Sequence, residues 1–84
     1  MADQKIHIIF STTAGDLEED FPLNQPLHAL KREVMGRLKL DPSKASDFVV
    51  TLNGNILDEN RSLGDLGVAT NAVLIIERRE VVKI

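Results

Sequence analysis

The chain has no cysteine, tryptophan or tyrosine, and only three phenylalanines, three prolines and five glycines in 84 residues. Each shortage removes a class of protein. Without cysteine there is no disulfide framework, no thiolate nucleophile and no zinc–thiolate site, so the core must hold itself together by burial, which suits a reducing compartment. Few aromatics, with ten Lys and Arg against thirteen Asp and Glu for a formal charge of −3, supply neither the cationic stripe nor the stacking platform that nucleic acid needs. No apolar run approaches the roughly 20 residues of a membrane-spanning helix. The opening "MADQKIHIIF" reaches its apolar stretch too soon and too briefly for a secretory leader. The expectations are a cytoplasmic monomer with no cofactor, no metal, no nucleic acid and no membrane among its partners. Its length suffices for one domain, 1–84, with an ordered core of about 5–79 and short tails. A chain of this size buries only about 60 to 65% of its unfolded surface.

What the chain does have is periodicity. Residues 5–13 alternate, with Ile6, Ile8 and Phe10 on one side and Lys5, His7 and Ile9 on the other, which predicts a strand with one buried face. A glycine turn in "TTAGDLEED" leads to a weaker, acidic strand over Leu17 to Leu23, suited to a sheet edge. From Pro26, Leu27, Leu30, Val34 and Leu38 recur at spacings of three, four and four, one stripe of an α-helix, with Lys31, Arg32, Glu33 and Arg37 elsewhere around it. Pro26 fits the first turn, and Asp41-Pro42 blocks the helix beyond about residue 40. After a polar loop, Asn53-Gly54 between apolar runs is a strong hairpin signal. Ser62 and Asp65 are spaced as a capping box for one helical turn that turns Leu63 and Leu66 inward. The last strand, "NAVLIIER", places Leu74 and Ile76 on one side and Val73, Ile75 and Glu77 on the other. One helix stripe over a mixed sheet is an α+β layer architecture. With the long first and last strands adjacent at the centre, it is a β-grasp of four to five strands.

Catalytic constellations are not expected. His7 and His28 fall on different elements, and no serine or carboxylate has the spacing of a triad. Asp16, Glu18 and Asp20 share one side of the acidic strand; oxygen ligands could hold a cation loosely there, although a solvated acidic edge is the simpler reading.

The run "GNILDENRSLGDLGVATNAVLIIER" resembles ubiquitin and its relatives: a hairpin glycine, Leu57, two acidic residues, then Arg61 through Val68 and a closing strand. The helix "LHALKREVMGRL" aligns through Leu27, Leu30 and Val34, and the likeness spans residues 5–79. It implies a ubiquitin-like fold, and also an outward sheet face read by partner proteins. On this chain that face falls at Thr51, Ile75 and Glu77, with His7, Ile9 and Val73 beside them. The threonine and glutamate stand where the family pattern is apolar, so the expected patch is small and more polar. Members that are conjugated end in two glycines, whose freedom lets the tail thread an enzyme channel. Here Arg79 is followed by Glu80, Val81, Val82, Lys83 and Ile84, three of them β-branched and stiff, so conjugation of the chain as written is not expected. Val82-Lys83-Ile84 loosely fits capture of a C-terminal peptide by an edge-binding domain. The primary expectation is a non-catalytic protein–protein adaptor acting through its sheet face. The alternatives are a modifier with a non-standard or extended C-terminus and a small accessory subunit of a larger bacterial enzyme or secretion complex.

Overall fold

Alternation builds the first hairpin. A computed structural model describes residues 4–79, and in it β1 (Lys5–Thr12) turns Ile8 and Phe10 into the interior while His7 and Ile9 face outward, half-buried. It runs antiparallel to β2 (Gly15–Pro22). The Thr12 side chain braces the turn, its hydroxyl donating to the Gly15 carbonyl at 2.8 Å and accepting from the Ala14 N–H at 3.0 Å. On the interior side Phe21 of β2 meets Phe10 edge to face, with centroids 5.0 Å apart; such a pair adds about 0.5–1.5 kcal/mol beyond its buried area.

Helix α1 (Leu27–Arg37) buries Leu27, Leu30, Lys31, Val34 and Met35. Two features differ from the sequence reading. Pro26 is the N-cap, in extended conformation, and not a helical residue. The helix also closes before Asp41-Pro42 can block it. Lys39 adopts a left-handed φ of 62°, and the N–H groups of Lys39 and Leu40 bond back to the carbonyls of Gly36 and Met35 at 3.2 and 2.7 Å. This Schellman closure leaves Leu38 outside the helix as its C-cap, packed against the core only in part. A 3₁₀ helix, Pro42–Asp47, follows, capped by the Asp41 side chain, which accepts from the Ser43 N–H at 3.0 Å.

Strand β3 (Phe48–Leu52) joins the short β4 (Asn55–Ile56) through Asn53 and Gly54, whose φ of 54° and 84° are those of a two-residue primed turn. Only glycine takes the second value without cost. In the one-turn α2 (Leu63–Leu66), the Ser62 hydroxyl accepts from the Asp65 N–H at 3.1 Å. That bond is half of the expected capping box. Leu63 is fully buried and Leu66 partly so.

The last strand, β5 (Ala72–Arg78), ties the molecule together. The sheet order is β2-β1-β5-β3-β4, with β5 parallel to β1 and antiparallel to β3. The acidic β2 lies at an edge, and the first and last strands are neighbours inside, as expected. The helix covers one face, where Ile8, Phe10, Leu30, Val34, Leu74 and Ile76 form part of a single core. The architecture is a mixed five-stranded β-grasp with α1 packed on one face.

Candidate functional site

Strand register decides which side chains share the face away from the helix. Opposed residues in paired strands project to the same side. One row across the sheet therefore reads Asp16, Ser11, Ile75, Thr51 and Ile56, from β2 to β4. The next row reads Glu18, Ile9 and Val73, and the one after it Asp20 and His7. Glu77 faces Val49 on the other side of the first row.

Within this grid Ile9 and Val73 are direct partners, Ile75 lies two residues along from Val73, and Ile56 sits beyond Thr51. Val73, Ile75 and Ile56 are 49%, 41% and 39% exposed, and they are the large hydrophobic side chains left exposed among the described residues. Ile56 is missing from the sequence reading, yet its signal was there: a two-residue turn at Asn53-Gly54 sets Thr51 opposite Ile56.

Thr51 requires a correction. Parity puts it on the outward face, but it is only 2% exposed. Its hydroxyl donates to Glu77 Oε2 at 3.1 Å, so these two polar residues engage each other, and Thr51 offers no accessible surface to a partner. Val49, on the same face, is equally covered.

His7 sits between two carboxylates of the edge strand. Its Nε2 is 2.7 Å from Glu18 Oε2 and its Nδ1 2.9 Å from Asp20 Oδ1. The hydrogen bond to Glu18, then that to Asp20, favours the imidazolium and raises the His7 pKa above the ordinary 6.5. The same contacts use two of the three carboxylates considered as a cation site. Among the described residues no group of three or more His, Cys, Asp or Glu could hold a metal ion.

Two clefts border the face. One, of about 510 Å³, opens at the strand ends and is lined by Ser11, Leu40, Phe48, Ile75, Glu77 and Arg78, among others. The other, of about 580 Å³, runs between α1, the 3₁₀ helix and β4, with His28, Arg32, Ile56 and Arg79 on its walls. Its buried cation, Lys31, is already occupied: Nζ lies 2.5 Å from Glu59 Oε1 and donates to the Phe48 carbonyl at 2.9 Å. Lys31 thus belongs to the buried stripe, contrary to its placement outside the stripe in the sequence reading. Its neighbours Leu30 and Val34 bring it there, and Glu59 makes the position tolerable.

Comparison with solved structures agrees with this geometry. Ubiquitin from Caldiarchaeum subterraneum matches with a TM-score of 0.75 and 24% identity, over 90% of this chain and 95% of that one. A chain from a structure on molecular mimicry of SUMO promoting DNA repair matches at 0.81 with 13% identity, over 92% and 95%. The N-terminal ubiquitin-like domain of the 4931431F19Rik protein matches at 0.74 with 17% identity, over 93% and 78%. At these identities the likeness is one of fold, and the fold is ubiquitin-like. No family model and no curated protein matches the sequence.

Proposed function

We propose that the chain is a non-catalytic protein-interaction module that docks a partner protein on the outward face of its sheet and works in the cytoplasm. The observation that carries this reading is the exposure of Val73 and Ile75 on the face away from the helix, with the half-buried Ile9 paired beside Val73. Neighbouring exposed apolar side chains on a small charged domain mark an interface, and a ubiquitin-like scaffold whose helix packs on one sheet face is suited to such use. The modifier and C-terminal capture readings turn on residues after Arg79, which lie outside the described residues.

Ile75→Asp provides the test. The side chain is exposed, so the variant keeps the fold, while a carboxylate at the centre of the cluster must be desolvated by any partner seated there. Affinity purification of the tagged protein, followed by titration of the partner it retains, should show at least about a tenfold loss of affinity, the equivalent of about 1.4 kcal/mol. Unchanged affinity would sink the sheet-face reading.

A further inference from the structure

We infer that the cleft between α1, the 3₁₀ helix and β4 is a binding site for a small organic carboxylate, whose head meets two arginines and whose carbon body rests on an apolar floor. The cleft holds about 580 Å³, and small-molecule sites run from about 300 to 1,000 Å³. Neither Val73 nor Ile75 lines it, so the site and the sheet-face reading are tested apart.

The charge of the cleft comes from Arg32 and Arg79. Two acids also line it, and each already faces a base: Glu59 Oε1 lies 2.5 Å from Lys31 Nζ, and Asp58 Oδ2 lies 3.4 Å from Arg61 Nε. Lys31 is therefore spent on neutralising Glu59. The Arg32 side chain, exposed on α1, has no ion-pair or hydrogen-bond partner among the described residues. Arg79 has no carboxylate partner among them either, yet it is held in place. Its backbone N–H donates to the Asp47 carbonyl at 2.8 Å, and its Nε and Nη2 donate to the Ser46 carbonyl at 3.4 and 3.3 Å. A guanidinium carries five N–H donors, so most of this fork is left for a ligand. Because Arg79 is positioned beforehand, less ordering is required when a ligand binds. Two uncompensated guanidiniums thus line one cleft of a chain whose formal charge is −3. Their planar forks match the geometry of a carboxylate.

The floor supplies the second half of the recognition. Val49 and Ala45 are buried there, and Ile56 and Leu57 extend the apolar lining. Methylenes that reach this floor leave water. A bare inorganic anion would use the arginines and leave the floor idle, and an organic cation would be repelled by them. A carboxylate on a short carbon chain uses both.

Titration of ¹⁵N-labelled protein with hexanoate, acetate and hexylamine tests the site, since these probes separate the charge from the carbon body. Hexanoate should bind saturably, with a Kd on the order of millimolar for a ligand of so few atoms, and its amide shifts should gather at Arg32, Ser46, Val49 and Ile56. Acetate should bind at least about fivefold more weakly, because it has no chain to bury. Hexylamine should leave those amides unmoved. Arg32→Gln and Arg79→Gln should each weaken hexanoate at least about fivefold, with amide dispersion verifying the fold of both variants. Acetate or hexylamine binding as tightly as hexanoate, unchanged affinity in either arginine variant, or no saturation by hexanoate would overturn the inference. Hexanoate shifts centred on Val73 and Ile75 would overturn it too, by placing the ligand on the sheet face.

Discussion

His7 is the residue whose charge the fold controls most visibly. Because Glu18 and Asp20 favour its protonated form, its contribution to stability is complete below pH 6.5, the ordinary histidine value, and fades as the pH rises through its higher midpoint in the folded protein. Titration of the imidazole by NMR should give a midpoint above 6.5, and Glu18→Gln should bring it down. The thermal midpoint should decline slightly over the same pH interval.

Lys31 is a different kind of charged residue, because it is 4% exposed and has no water to fall back on. Glu59→Ala would leave that ammonium with the Phe48 carbonyl alone, and loss of one partner of a buried pair costs about 3 kcal/mol. Replacing both charges, as Lys31→Met with Glu59→Leu, should cost much less. Urea unfolding of the two variants separates these outcomes. The contrast would show that the pair is required as a pair and not for net stability.

Among the elements, the helix end gives the sharpest case of what the sequence could and could not tell. The apolar stripe announced α1, and Asn53-Gly54 announced the β3–β4 turn, because periodicity and positive φ are local demands that leave local marks. The stopping point at Arg37 left none: a lysine carries the left-handed position where glycine is usual, so the signal pointed downstream to Asp41-Pro42. Lys39→Gly should remove the left-handed cost and raise stability by about 1 kcal/mol, seen as a higher urea midpoint at unchanged slope.

Burial that depends on distant segments was equally silent. Lys31 enters the interior because Glu59 and Phe48 meet it there. Thr51 is covered although its parity is outward. The outward set Ile9, Val73 and Ile75 followed from alternation alone, whereas adding Ile56 required the register of a hairpin, and placing the acidic residues of β2 beside Ile9 required knowing that β2 pairs with β1. The sheet face was legible as a list of residues, and its arrangement became visible once the strands were ordered.

For the whole molecule, one core does all the work. The described chain folds around a single hydrophobic cluster, and its radius of gyration, 11.9 Å, is about that of any compact chain of this length. Total stability for such a chain is on the order of 4–12 kcal/mol, while truncating one fully buried leucine costs about 2–5 kcal/mol. Leu74→Ala, at the centre of β5, should therefore lower the melting temperature by more than about 10 °C. Circular dichroism would check this, and a change of only a few degrees would mean that the core is looser than its burial indicates.

The parallel pairing of β1 with β5 also bears on how the protein is made. Ile9 waits for Val73, its partner from the far end of the chain. On the ribosome the first hairpin and the helix can be out for seconds while their central strand is still unsynthesised. During that interval β1 presents an open edge and an unroofed apolar row. The strand that closes the sheet follows every other strand of the fold in the chain, so the sheet cannot be completed until residues 72–78 have left the ribosome.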